Sequence, residues 1–138
     1  MNILMVDDCE EAPAIARSLE SLLQDESCAI EIIDAADECL AFTDRRDLDL
    51  ILLDIMMYHG KKLKSSETNG GFTTGLRLLQ HLVEVQPKTP ICIFTALRPP
   101  FFEQVKDFCT EYDQVKGVWQ KPRDTKIIAL DIRKVLTE

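Results

Sequence analysis

The stretch LILLDIMM, residues 50–57, decides the fold. Four aliphatic residues run without a polar break, followed by a single charge, Asp54, and then Ile55, Met56 and Met57. An apolar run this short reads as a strand covered on both faces, as strands inside a parallel sheet are. A lone carboxylate buried at its end would be costly without a partner. Asp54 is therefore a group held for use.

Similar runs lie on either side. Strands are expected over residues 2–6, 29–33, 48–53, 91–94 and 114–119. Between them apolar residues recur at helical spacing. Ile15, Leu19, Leu22 and Leu23 mark a first helix, residues 35–43 a second, and Leu76, Leu79, Leu82 and Val83 a third over 75–85. Pro87 and Pro90 bracket the turn after it. Phe101, Phe102, Val105, Phe108, Cys109 and Tyr112 form the stripe of a fourth, and residues 125–136 the last. Five βα units in succession imply an α/β fold, a parallel sheet with helices on both faces. Right-handed crossovers leave few topologies. The doubly wound order 2-1-3-4-5 is the expected one, with strands two, three and four buried on both sides and a site at the carboxyl ends.

Those ends carry the chemistry. Asp7 and Asp8 follow the first strand, Asp54 the third, Thr95 and Ala96 the fourth, Lys121 and Pro122 the fifth. Each has a plainer role open to it. Asp8 with Glu11 spells a helix capping box, although Pro13 sets the helix start later. Thr95 could cap a helix and Lys121 could be a solvated lysine. Taken together the plainer roles fail, because clustered carboxylates without a counter-charge raise one another's pKa. A hard divalent cation with oxygen ligands, such as Mg²⁺, resolves the repulsion.

Composition narrows the partners. The chain has 138 residues, 46% of them hydrophobic, and a net charge of −8. One domain with one core fits that length. The charge disfavours direct binding to nucleic acid and to anionic membrane surfaces. Five cysteines, an odd number without a C-x-x-C pair, read as reduced thiols of a reducing compartment. Asp7 and Asp8 come too early for an apolar leader, and no apolar run is long enough to span a membrane. A cytoplasmic location is the expectation.

The motifs V-D-D at residues 6–8, L-L-D-I-M at 52–56, F-T-A at 94–96 and K-P at 121–122 resemble the receiver domain of two-component response regulators, over nearly the whole chain. The resemblance implies a CheY-like, flavodoxin-like domain spanning residues 1–138. It makes Asp54 the phosphoacceptor. Asp7, Asp8 and Asp54, with the backbone carbonyl of Met56, would hold Mg²⁺ or Mn²⁺. Lys121 would pair with one phosphoryl oxygen and Thr95 would donate its hydroxyl to another. Ala96 is small enough to keep the approach open, and the Lys121–Pro122 bond would be cis. The phosphoryl donor would be a sensor histidine kinase or a phosphotransfer protein. The output would be a downstream protein target or an effector domain outside this chain. A homodimer through the fourth helix, fifth strand and fifth helix is a further association the resemblance allows. The chain would be a signalling phosphoacceptor, catalysing only its own phosphorylation and dephosphorylation, rather than an enzyme.

Three features depart from the family pattern. Segment 58–71, YHGKKLKSSETNGG, is a polar stretch without periodicity and reads as an inserted mobile loop. Its Lys61, Lys62 and Lys64 outnumber Glu67 in an otherwise acidic chain. They suit contact with an acidic partner or control of access to Asp54, while surface loops also tolerate length cheaply. The position three before the lysine is Val118 rather than an aromatic. The neighbouring Trp119 faces the opposite way by strand alternation. Arg98-Pro99-Pro100 starts the fourth helix rigidly. His59 in the loop and His81, expected on the outward face of the third helix, are not expected to carry phosphoryl groups. Two other readings compete: a pseudo-receiver that only binds protein, and an aspartyl-phosphate phosphatase. The phosphatase is disfavoured because Met56 stands where such enzymes place a second carboxylate.

Overall fold

Apolar residues alternate between two faces along each strand, and that alternation builds two cores rather than one. The computed structural model describes residues 1–42 and 45–138. It forms one five-stranded sheet in the order β2-β1-β3-β4-β5, with every strand pair parallel. The strands are β1 (Asn2–Val6), β2 (Ala29–Ile33), β3 (Leu50–Leu53), β4 (Ile91–Thr95) and β5 (Val115–Gln120). The connecting helices are α1 (Ala12–Leu22), α2 (Ala36–Leu40), α3 (Thr74–Val85), α4 (Phe101–Cys109) and α5 (Thr125–Thr137).

Ile3 and Met5 of β1, Leu50 and Leu52 of β3, and Cys92 and Phe94 of β4 pack with Leu19 of α1 and Ile128 and Ile132 of α5. Their alternates, Leu4, Val6, Ile51, Leu53, Ile91 and Ile93, pack with Leu78 and Leu82 of α3 and Val105 of α4. Each buried aliphatic side chain of this kind contributes roughly 1.5–3 kcal/mol relative to exposure. Val118 belongs to the second cluster and Trp119 to the first, so the two β5 side chains do face opposite ways.

The sheet differs from expectation at its edge. β1, β3 and β4 are the strands covered on both faces. β2 exposes Ala29 and Glu31, because it is the edge strand and needs only one buried face. β3 begins at Leu50 rather than at residue 48. Leu48 is buried outside the ladder, and the Asp49 carboxylate accepts the Asn2 N–H at 2.7 Å. The expected helix over 35–43 is described only as Ala36–Leu40, and Thr43 lies outside the described residues. α4 stops at Cys109, although Tyr112 still packs on Phe108 with ring centroids 5.7 Å apart. α1 starts after Glu11 with Pro13 in its first turn and no side-chain cap, so Asp8 is not its capping residue. Leu22, included in the α1 stripe, is exposed, whereas Leu23 is buried. His81 is not outward: it is half-buried, with Nε2 3.1 Å from the Phe42 carbonyl.

All five cysteines are free. Burial pushes the Cys39 and Cys92 thiols up to about 12 and Cys109 to about 11, which makes them inert core residues. Among the described residues no helix is long and apolar enough to cross a membrane.

Candidate functional site

Parallel strands bring like ends together, so residues one step past each strand meet at one edge. Val6 pairs with Leu53, which sets Asp7 beside Asp54. The ladder continues one bond further on both sides. The Asp54 N–H donates to the Val6 carbonyl at 2.9 Å and the Asp7 N–H to the Ile33 carbonyl at 3.0 Å. Across the sheet, the Lys121 N–H donates to the Thr95 carbonyl at 2.8 Å. The Lys121–Pro122 peptide is cis, as expected, and so is Pro99–Pro100.

Carboxylate oxygens of Asp7, Asp8 and Asp54 all lie within 4.8 Å of one another. Asp7 and Asp54 are buried, at 2% and 5% exposure, while Asp8 is open to solvent. Lys121 Nζ reaches both buried acids, Asp7 Oδ2 at 2.7 Å and Asp54 Oδ2 at 3.5 Å. It also sits 5.1 Å from the centroid of the Phe94 ring, which supplies a further attraction to the ammonium. Asp54 Oδ1 accepts the Met56 N–H at 3.4 Å, Asp7 Oδ1 the Cys9 N–H at 2.9 Å, and Asp8 Oδ2 the Tyr58 N–H at 3.2 Å.

Burial, reinforced by the neighbouring Asp7 charge, pushes the Asp54 carboxyl up to about 7, against the pull of Lys121 and the Met56 N–H. Burial alone would lower Lys121, but Asp54 and Asp7 outweigh it and hold the ammonium above its ordinary range. A single ammonium facing three carboxylates leaves surplus negative charge. That surplus and an all-oxygen donor set fit a hard divalent cation.

Two expected participants are less engaged. Thr95 is fully buried, but its hydroxyl oxygen accepts the Leu97 N–H at 3.4 Å rather than meeting Asp54. Ala96 is half-buried beside it. His59 Nδ1 lies 3.0 Å from the Leu63 carbonyl inside the loop.

Segment 58–71 folds as two short 3-10 turns, Ser65–Glu67 and Asn69–Gly71. It is tied to α2 by one residue that its own sequence does not flag. The Asp37 carboxylate accepts the N–H groups of Lys61 at 2.9 Å and of Lys62 at 3.0 Å. Gly60, at φ 76°, packs against the same carboxylate. The side chains of Lys61, Lys62 and Lys64 are exposed. Gly75 lies in the first turn of α3. A Cβ there would collide with the Asp54 carbonyl oxygen and Ile55 Cα, so α3 can approach β3 only as a glycine. A separate groove of about 510 Å³ runs beside α4, walled by Phe72, Leu76, Phe101 and Phe108, and no titratable group lines it.

Residues 3–109 match the family model of the response regulator receiver domain. No curated protein matches the chain. Among solved structures it is similar to the non-phosphorylated HemR receiver domain from Leptospira biflexa, with TM-score 0.72 and 18% identity over 99% of this chain and 94% of that one. It is also similar to a CheY-like receiver domain protein from Methanospirillum hungatei JF-1, with TM-score 0.70 and 22% identity over 99% and 93%. A two-component response regulator from Clostridium difficile matches with TM-score 0.70 and 18% identity over 100% and 97%.

Proposed function

The chain belongs to the response regulator receiver domain family, and on that premise we propose that Asp54 accepts a phosphoryl group from a phosphohistidine of a sensor kinase or phosphotransfer protein. One observation carries the reading. A buried carboxylate, raised to about 7, has Lys121 3.5 Å from one oxygen and belongs to a three-carboxylate cluster.

In the reaction an Asp54 carboxylate oxygen attacks phosphorus in line with the departing imidazole nitrogen. The P–N bond breaks as the P–O bond forms, and the histidine partner leaves with the electron pair. Phosphoryl transfer of this kind needs positioning and charge stabilisation more than covalent help. Lys121 is the cation already beside Asp54, and it would follow the phosphoryl oxygens as charge moves outward. Thr95 would exchange its Leu97 contact for a phosphoryl oxygen. Ala96 leaves the approach clear. Asp7, Asp8, Asp54 and the Met56 carbonyl would hold Mg²⁺ or Mn²⁺. When bound, the ion supplies positive charge that offsets the carboxylates and the transferred group. Water attack on the acyl phosphate later restores Asp54.

In this reading residues 1–138 form one receiver domain with segment 58–71 inserted, working in the cytoplasm. It acts as a switch towards a protein target or an effector domain, and not as a turnover enzyme. Exposed Ile127 and Leu130 on α5 and Phe101 on α4 support a homodimer contact through α4, β5 and α5.

Incubation with Mg²⁺ and acetyl phosphate should add one base-labile phosphate on intact mass spectrometry, absent in Asp54→Asn. No adduct under conditions that modify a control receiver would overturn the reading.

A further inference from the structure

Two consecutive peptide units leave the Asp54 turn towards segment 58–71, and both are gripped from behind. A trans peptide is planar, with its C=O and N–H on opposite edges, so a bond that fixes one edge aims the other. The unit joining Met56 to Met57 is held by its N–H, which donates to the Gly71 carbonyl at 3.1 Å. Its other edge is the Met56 carbonyl, the backbone donor for the cation in the reading above. The unit joining Met57 to Tyr58 is held by its C=O, which accepts the Thr74 hydroxyl at 2.6 Å. Its other edge is the Tyr58 N–H, which donates to Asp8 Oδ2 at 3.2 Å.

One grip comes from Gly71, the last residue of the inserted segment, and the other from Thr74, the first residue of α3. The Thr74 side chain is fully buried, and its hydroxyl also lies 3.3 Å from the Gly71 carbonyl, so the two grips touch each other. Gly71 sits at φ 99°, and a Cβ there would stand 2.9 Å from the Met57 carbonyl oxygen that Thr74 holds. Glycine is therefore required twice over, by its backbone angle and by the peptide unit it braces. Gly75 fixes the unit before these two, since its N–H donates to the Ile55 carbonyl at 2.8 Å.

We propose that Thr74 and Gly71 are positioning residues for the divalent cation: by holding the rear edges of two successive peptide units, they aim the Met56 carbonyl and the Tyr58 N–H at the carboxylate cluster. The end of the inserted segment and the start of α3 are thus part of the construction of the metal site, although neither Gly71 nor Thr74 is a ligand. This rests on the metal-dependent reading of the site. Partners that orient metal ligands from behind characteristically cost about 10–100-fold in affinity when removed.

The test is titration of Mg²⁺ alone into the full chain by calorimetry, with stability in EDTA measured separately by urea unfolding. Thr74→Val keeps the shape and removes the hydroxyl; Thr74→Ser keeps the hydroxyl. Thr74→Val should weaken Mg²⁺ binding at least about tenfold, while Thr74→Ser should bind close to wild type. A merely structural threonine would not give this split at equal folded fraction. Gly71→Ala should weaken binding as well, since its Cβ presses on the Met57 carbonyl. Thr74→Val binding as tightly as Thr74→Ser overturns the proposal. If Thr74→Val does not fold, unweakened binding by Gly71→Ala overturns it instead. A wild type that binds no Mg²⁺, or binds it equally after Asp54→Asn, overturns the metal-dependent reading and the positioning roles with it. Tight wild-type binding that falls with Asp54→Asn but not with Thr74→Val overturns the positioning roles alone.

Discussion

Replacing Asp54 by asparagine should stabilise the metal-free protein, and by an amount that grows with pH. The Asp54 carboxyl moves from an ordinary 3.8 to about 7 on folding. Its raised value means that the folded state keeps a proton the unfolded chain has lost. Asp54 is therefore no burden below about pH 4, where both states are protonated, and stability is lost progressively up to about pH 7. Above that the folded state carries the full cost of a buried charge. A shift of roughly three units corresponds to at most about 4 kcal/mol. Asparagine avoids this cost while keeping an acceptor for the Met56 N–H, and Lys121 retains Asp7 at 2.7 Å. Urea unfolding in EDTA, followed by the single tryptophan, Trp119, at several pH values checks it. The gain from Asp54→Asn should be small near pH 4 and larger by about 2 kcal/mol or more near pH 8, which is on the order of a 1 M shift in midpoint. Saturating Mg²⁺ should shrink the gap, because only the native wild type binds the ion with a full set of carboxylates. A difference constant within about 0.5 kcal/mol across this range would refute the assignment of Asp54 as a strained, buried charge.

Gly75→Ala should destabilise the protein by about 2 kcal/mol or more, since the new methyl meets backbone rather than a flexible side chain; urea midpoints decide, and a loss below about 0.5 kcal/mol would mean α3 can retreat freely from β3. Asp37→Ala should speed hydrogen exchange of the Lys61 and Lys62 amides, while leaving the rate of Asp54 phosphorylation by acetyl phosphate unchanged. The N–H groups of Lys62 and Lys61 hold the Asp37 carboxyl below its usual value, so in the wild type this anchorage is present above that value and is lost as the pH falls through the depressed one.

The parts of this molecule that could be read from its sequence are those governed by short-range pattern. β1, β3 and β4 are covered on both faces, so they appear as unbroken apolar runs, and the topology follows from their order. Asp7, Asp54, Thr95 and Lys121 were legible because a parallel sheet turns the strand end itself into an address. The exposed face of β2 was not, because Ala29-Ile-Glu-Ile-Ile is apolar enough for either an edge or an interior strand. The anchoring role of Asp37 was invisible for a different reason. Its partners are backbone N–H groups 24 and 25 residues away, and backbone groups carry no sequence signal. The same holds for Thr74 and Gly71, whose contacts are main-chain atoms of Met57. The inward placement of His81 is likewise hidden, because its ring finds the Phe42 carbonyl on another connection, which helical periodicity cannot disclose.

The direction in which a change at Asp54 can leave the site follows from which side chains stand next to Thr95. Val118 packs into the cluster shared with α3 and α4 and is too small to swing between positions, and it carries no polar tip. Trp119 lies in the opposite cluster, with the Arg123 guanidinium 5.6 Å from its ring centroid and paired in turn with Asp131. An aromatic relay from Thr95 into β5 is therefore on the wrong face of the sheet. What Thr95 does touch is the Leu97 N–H. Leu97 is buried, its carbonyl accepts the Gln120 side-chain amide at 2.9 Å, and it lines the groove that Phe72 and Phe101 wall. Phe72 directly follows the braced glycine pair of the inserted segment and meets Phe101 with ring centroids 6.3 Å apart. If the Thr95 hydroxyl turns from Leu97 to a phosphoryl oxygen, as proposed above, the β4–α4 turn loses that contact beside the Phe72–Phe101 pair. The two ends of the insert therefore border both sides of the site: Tyr58 bonds Asp8, and Phe72, the residue just after Gly71, lines the groove beside Leu97.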